Sequence, residues 1–339
     1  MVLREVASLD ETAEPLGLID LPEPALEDGE ILIRVKCCGV CHTELDEIEG
    51  RTTPPRLPVV LGHQVVGTVE KISLPSESIR TGDRVGVAWI YSACGICQYC
   101  RAGQENLCEQ FKATGRDANG GYAEYMKIKA QFAYHLPESL SDAECAPLLC
   151  AGAVGYRALR LTNLQDGQAL GLSGFGASGH LVLKMVHYKY PHTEVSVFSR
   201  NAEEREFARS LGAVWAGDFH ESPPHQLHAV IDTTPVWNPI SQALKHLEPG
   251  GRMVINAIRK EELDKQVLLR LDYPSQLWME KEIKSVANVT RQDVREFLQL
   301  AAEARIQAEY QEYALKDANR ALREMKKGKI RGAKVLSVA

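Results

Sequence analysis

Residues 168–180 read QALGLSGFGASGH. The run up to Ser173 predicts a short β-strand, and the residues after Gly179 predict a helix. Gly174-Phe175-Gly176-Ala177-Ser178-Gly179 joins them. A GxGxxG in this setting is a dinucleotide-binding turn. Its first glycine allows the tight turn, its second lets the backbone approach a pyrophosphate, and its third lets helix and strand pack closely. The helix N-terminus adds N–H groups and partial positive charge for the phosphates. Gly174, Phe175, Gly176, Ala177 and Gly179 are therefore candidate cofactor-binding residues.

Outward from this turn, short apolar strands alternate with helical segments from about 168 to 287, the pattern of a parallel α/β sheet. EVSVFS (194–199), HAVID (228–232) and GRMVINA (251–257) read as strands. The helix beginning NAEEREFARSLGA has Asn201 as N-cap, Glu204 three residues on, as in a capping box, and Gly212 past its end. The strand before it ends Phe198-Ser199-Arg200, without the carboxylate that would bind the ribose 2′-OH of NAD. Ser199 can hydrogen-bond a 2′-phosphate and Arg200 can pair with it, which favours NADP. The competing reading makes Arg200 a solvated side chain on an NAD enzyme.

The first 150 residues differ. ILIRVKCCGV (31–40), VVGTVEKI (65–72) and RVGVA (84–88) are β-branched runs bounded by turn residues, and they predict a mostly β domain. The C-terminal part holds two amphipathic helices, one after a Thr290 cap with Val294, Phe297, Leu298 and Ala301 on one face. The other carries Ala318, Ala321, Leu322 and Met325 and ends at Gly328. With 339 residues, two domains are expected: 1–150, and 151–287 for cofactor binding, with 288–339 as a further segment.

Within the first domain, CGICQYCRAGQENLC (94–108) sets Cys94, Cys97, Cys100 and Cys108 on one short loop. Four thiolates close a tetrahedral Zn²⁺ shell and leave no open position, so this metal is structural and a reactive metal must lie elsewhere. The net charge of −6 gives no basic footprint for nucleic acid, and no apolar run has the length of a membrane span. MVLREVASLDETAEPLG lacks the apolar core of a signal peptide and reads as mature protein. With cysteines in metal-like spacing, the expected location is the cytoplasm.

GVCHTE (39–44), LGHQVVG (61–67), TGDRVGVAW (81–89), the four-cysteine lobe, GGYAEY (120–125), LLCAG (148–152) and GFGASG (174–179) together resemble the zinc-containing alcohol dehydrogenases of the medium-chain dehydrogenase/reductase superfamily. SVANVTRQD (285–293) and GKIRGAKVL (328–336) resemble its cinnamyl-alcohol-dehydrogenase-like bacterial branch. The resemblance implies a GroES-like catalytic domain, to which 288–339 returns, and a Rossmann-type cofactor domain. It implies Cys41, His63 and Cys150 as ligands of a catalytic zinc, giving two zinc ions per subunit, and Thr43 as the hydrogen-bond partner of the substrate hydroxyl. It implies Glu44 as the residue orienting His63, His42 and Arg331 as contacts of the cofactor pyrophosphate, and Trp89 and Ile90 as pocket residues. Plain core packing is an equal reading for Trp89. The implied partners are a small alcohol or aldehyde and further copies of the chain, as a homodimer or homotetramer built by pairing Rossmann sheets, with EIKSVA (282–287) as the candidate edge.

Two residues depart from the family pattern. Gln64 stands where relatives carry Glu, so a charge that tempers the zinc is absent and a more electrophilic metal is expected. Asp46 stands where many relatives carry the His that ends a proton relay from Thr43. A carboxylate can serve there too, although a surface Asp is the competing reading. Cys37, Cys38 and Cys145 are expected to be buried thiols.

The implied reaction is hydride transfer between a primary or secondary alcohol and NADP or NAD. Two alternatives compete. A non-catalytic nucleotide-binding relative has no need for an open zinc trio with Thr43. A zinc polyol dehydrogenase often lacks the four-cysteine lobe or replaces the third thiolate.

Overall fold

The computed structural model describes residues 1–75, 78–328 and 332–338. It divides into two compact units, Met1–Ala153 with Val289–Ala339, and Val154–Asn288. Among the described residues no helix is long and apolar enough to cross a membrane.

The first unit is built on a mostly antiparallel sheet whose central strand is Glu30–Val40. That strand pairs with Val65–Ile72 and Tyr125–Lys129, and through Lys334↔Val40 with the C-terminal strand Ala333–Ser337. Burial at nearly every position suits its many Ile, Leu, Val and Cys residues, with Arg34 the exposed exception. The first strand ends at Val40 and its antiparallel neighbour begins at Val65, opposite Cys38. Cys41 and His63, which flank these strands, thus fall at one end of the sheet although 22 positions separate them.

The C-terminal segment is part of this unit's core. Helix Arg291–Glu303 is capped reciprocally by Thr290 and Asp293 and buries Val294, Phe297, Leu298 and Ala301, the expected stripe. The second stripe, Ala318, Ala321, Leu322 and Met325, is buried as well. Arg291 ties the first helix to the four-cysteine lobe, because its backbone N–H and its Nε both donate to buried Glu105 at 2.8 Å.

The second unit is a six-stranded parallel sheet: β1 (Ala169–Ser173), β2 (Glu194–Phe198), β3 (Trp215–Gly217), β4 (Leu227–Asp232), β5 (Leu247–Ile255) and β6 (Glu282–Ser285). The spatial order is β3-β2-β1-β4-β5-β6, a doubly wound Rossmann sheet whose direction of winding reverses between β1 and β4. Ligands of such sheets bind beyond the strand C-termini at that reversal, where the Gly174–Gly179 turn lies. Helix α1 (Ala177–Lys189) follows the turn, and α2 (Ala202–Ser210) follows β2. At the opposite edge all four residues of β6 are exposed.

A Cβ on Gly152 would stand 2.2 Å from the Phe297 ring. Gly152→Ala is expected to lower stability by about 1–3 kcal/mol through overpacking. A reduced thermal midpoint would show it, with partial recovery when Phe297→Leu is added.

Candidate active site

Three segments of the first unit bring Cys41, His63 and Cys150 together, with all ligand atoms within 4.8 Å of one another. Cys41 is the residue before the short helix His42–Ile48. His63 sits in the link leading into Val65–Ile72. Cys150 lies in the middle of a π-helical turn, Leu148–Gly152. Turns of that type are rare and recur at functional sites. Cys150 Sγ is 4.0 Å from Cys41 Sγ and 3.2 Å from His63 Nε2.

Glu44 organises two of the three. Its Oε2 accepts from the Cys41 backbone N–H at 2.8 Å, and its Oε1 lies 2.7 Å from His63 Nδ1. Both His63 and Glu44 are buried. Nδ1 is thus engaged by the carboxylate and Nε2 faces the two thiols, which is how a carboxylate fixes a metal-binding imidazole. The hydrogen bond with Cys150 draws the Cys41 thiol well below its usual range, against burial and with help from His63. The same bond and burial push Cys150 well above it. Burial opposes a proton on His63, but Glu44 and Cys41 outweigh it and raise its basicity. Two sulfurs, one imidazole nitrogen and no fourth protein ligand among the described residues fit a zinc ion with one open position.

The neighbours fall into place unevenly. Thr43 is buried, with Oγ1 3.6 Å from Cys41 Sγ. Trp89 sets its ring edge-on to His63 at 5.0 Å between centroids. Ile90, expected beside it in the pocket, is instead enclosed in the apolar core. His42 is exposed at the first position of its helix. Gln64 is buried, and its side chain fills the space a Cβ on Gly39 would take. Asp46 is no surface residue: it is 5% exposed and Arg51 Nε donates to its Oδ1 at 2.5 Å. Its carboxylate is therefore engaged by a cation. Sequence reasoning passed over Glu47, which is buried with neither carboxylate oxygen hydrogen-bonded, and burial followed by repulsion from Glu44 raises its pKa well above the usual range.

Cys94, Cys97, Cys100 and Cys108 form the second cluster, again within 4.8 Å. Backbone amides point at the sulfurs: Cys97 N–H to Cys94 Sγ at 3.3 Å, Cys100 N–H to Cys97 Sγ at 3.4 Å and Cys94 N–H to Cys108 Sγ at 3.5 Å. Donors of this kind favour thiolates. Hydrogen bonds from the Ile96 and Cys97 backbone bring the Cys94 thiol down to about 6. Four sulfurs fit a closed zinc shell. Cys37, Cys38 and Cys145 are buried free thiols, and burial raises the pKa of each.

In the second unit Gly174 has φ +82°, and a Cβ there would meet Thr233 Oγ1 at 2.7 Å. A Cβ on Gly179 would stand 2.8 Å from the Gly174 carbonyl oxygen. Above Gly176 there is open space, the opening a pyrophosphate needs. Phe175 is buried edge-on against Phe207 of α2, and Ala177 is half-buried at the start of α1. The residues therefore fit a dinucleotide. Asp232, at the end of β4, was not anticipated. It accepts from Ser173 Oγ at 2.7 Å, Thr234 Oγ1 at 2.8 Å and Lys260 Nζ at 2.5 Å, and so pins the segment after β4 beside the glycine turn.

Ser199 is buried and Arg200 exposed. The capping box expected around Asn201 does not form. Asn201 Oδ1 accepts from Glu203 N–H, and the Asn201 N–H donates to Ser199 Oγ at 3.1 Å. Ser199 Oγ in turn donates to Glu204 at 2.6 Å, so the hydroxyl has displaced the usual backbone partner of that glutamate. Arg331 lies outside the described residues.

A mostly β unit carrying a cysteine–histidine–cysteine cluster and a four-cysteine lobe, joined to a Rossmann unit, defines a class of dehydrogenases. Residues 27–138 match the family model of the alcohol dehydrogenase GroES-like domain. A probable alcohol dehydrogenase, AdhA, of Mycobacterium tuberculosis is 42% identical over 329 residues, which cover 96% of this chain and 93% of that protein. An alcohol dehydrogenase of Geobacillus stearothermophilus is 33% identical over 347 residues, covering 98% and 99%. The structure of a cinnamyl alcohol dehydrogenase from Sorghum bicolor superposes with a TM-score of 0.81 at 27% identity, covering 94% of this chain and 92% of that one. The chain belongs to the alcohol dehydrogenases of the medium-chain dehydrogenase/reductase superfamily.

Replacing Glu44 by Ala is expected to weaken zinc at Cys41/His63/Cys150 by ~10–100-fold while the four-cysteine lobe keeps its metal. Metal analysis of zinc-loaded protein during titration with a chelator would show whether the Cys41/His63/Cys150 cluster releases metal before the four-cysteine cluster does.

Proposed function

We propose that this chain is a zinc-dependent alcohol dehydrogenase or aldehyde reductase that uses NADP in preference to NAD. The observation that carries the reading is the convergence of two thiols and an imidazole beside a buried threonine hydroxyl. Cys41, His63 and Cys150 would hold a catalytic zinc, and Cys94, Cys97, Cys100 and Cys108 a structural one. When bound, the metal supplies Lewis acidity toward a hydroxyl or carbonyl oxygen, and the dinucleotide takes up or gives the hydride.

Thr43 Oγ1 is the atom that handles the proton. In oxidation it would accept the substrate hydroxyl proton while passing its own proton on toward the cofactor ribose and water, and in reduction the transfers run in reverse. With Asp46 held by Arg51, the relay from Thr43 does not rely on that carboxylate. Trp89, edge-on to His63, limits the space beside the ligands and excludes water from them. Gly174, Gly176 and Gly179 admit the pyrophosphate, and His42 and Arg331 are proposed to contact it. Ser199 and Arg200 support the preference for NADP, through a hydroxyl and a guanidinium suited to a 2′-phosphate.

The test is aldehyde-dependent oxidation of NADPH and of NADH over a panel of aromatic and aliphatic aldehydes. Turnover with NADPH preferred is the expected result. Thr43→Ala should lower kcat/KM by ~10²–10⁴-fold. Absence of turnover in zinc-loaded protein would overturn the proposal.

The chain is also proposed to pair with a second copy along β6. Its residues are exposed, and Trp278, Met279 and Ile283 present large apolar side chains there or just before it. An open strand edge with apolar side chains is a ready pairing surface. Light scattering should give at least a dimer, and Ile283→Asp should shift the mass toward the monomer.

A further inference from the structure

We propose that Glu204 is a cofactor-specificity residue, an anion beside Ser199 that discriminates against a 2′-phosphate on the adenosine ribose. This rests on the dinucleotide reading above and deepens it. The end of β2 is where a sheet of this order fixes the adenosine ribose. Fingerprint logic looks for a carboxylate in the strand's last residues, and Phe198-Ser199-Arg200 has none. The fold supplies one from the first turn of α2 instead. Ser199 Oγ donates to Glu204 Oε2 at 2.6 Å, and Ser199 is only 4% exposed.

The arrangement is held from several sides. Asn201 N–H donates to Ser199 Oγ at 3.1 Å, and this keeps the Glu204 carboxylate away from the helix cap it would otherwise close. Arg205 Nη1 donates to the carbonyls of Ser199 at 2.8 Å and Arg200 at 3.0 Å, which fixes the backbone beneath the site. Arg205 is thus turned toward the backbone, and Arg200 is the exposed cation.

A serine hydroxyl has one proton to donate, and here Glu204 takes it. A phosphate oxygen has no proton to offer in return, so a 2′-phosphate must compete for the Ser199 proton with an anion already in contact with it. Like charges at such separations disfavour each other. A ribose 2′-hydroxyl is both donor and acceptor, so it can donate to Glu204 directly. Arg200 attracts the phosphate, Ser199 is engaged by Glu204, and Glu204 opposes the phosphate. The preference for NADP is therefore smaller than the serine–arginine pair alone would produce.

The experiment is calorimetric titration of the full chain with 2′,5′-ADP and with 5′-AMP, which differ only in the 2′-phosphate. In Glu204→Gln, 2′,5′-ADP should bind roughly tenfold more tightly, the shift expected from removing one opposing charge, while 5′-AMP binds no more tightly. Glu204→Ala removes the same charge and should move the ratio the same way, which covers poor folding of either variant. Glu203→Gln, an exposed neighbour on α2, should leave the ratio unchanged. An unchanged ratio in both Glu204 variants, or equal shifts for both nucleotides, would overturn the proposal. If the parent chain binds neither nucleotide, the dinucleotide reading itself fails and this inference falls with it.

Discussion

Two thiols and an imidazole lie within 4.8 Å of one another at the end of an apolar sheet. Polar groups withdrawn from water need partners, and a cluster of three is tolerable only if each is held in place by something charged or hydrogen-bonded. Glu44 meets that need by serving two of the three at once, accepting from the backbone N–H of Cys41 and orienting the ring of His63. Its own burial raises its pKa, and the charge of His63 works against that rise. The short helix His42–Ile48, the link into Val65–Ile72 and the π-turn around Cys150 are therefore one construction. Disturbing any of them moves the ligand set.

The second unit follows a different logic. Its inner strands, β1, β2 and β4, are mostly apolar and buried, and polar groups gather where these strands end. Asp232 is the clearest case. It is fully buried, and burial raises its pKa, while Lys260, Ser173 and Thr234 surround its carboxylate and work against that rise. The consequence is positional. The segment after β4 is fastened to the end of β1 at the point where the sheet reverses its winding.

Much of this was legible in the residue string because the signals are local. Gly174, Gly176 and Gly179 stand together in one short string, the thiol spacing of residues 94–108 suits a closed loop around one metal, and the stripes on the C-terminal helices are buried as their periodicity implies. Where the structure departs from the reading, a contact that the residue string does not display decides the outcome. Glu204 could have closed the helix cap, but Ser199 intercepted it. Asp46 has the look of a solvent-facing residue until Arg51, five positions on, folds over it. Ile90 follows Trp89 directly, yet its side chain is enclosed in the apolar core.

The sequence by itself determined the two kinds of unit, the glycine-rich turn, the four-cysteine lobe and, through family resemblance, the expectation that Cys41, His63 and Cys150 come together. Each depends on residue type at short range or on motifs that survive as strings. Only the tertiary structure decided which carboxylates stand next to which donors: Glu44 between Cys41 and His63, Asp232 under Lys260, Asp46 against Arg51, Glu204 against Ser199. A carboxylate's role is set by what lies within about 3 Å of its oxygens. That distance is fixed by backbone register and by competition among neighbouring side chains, neither of which residue identity specifies.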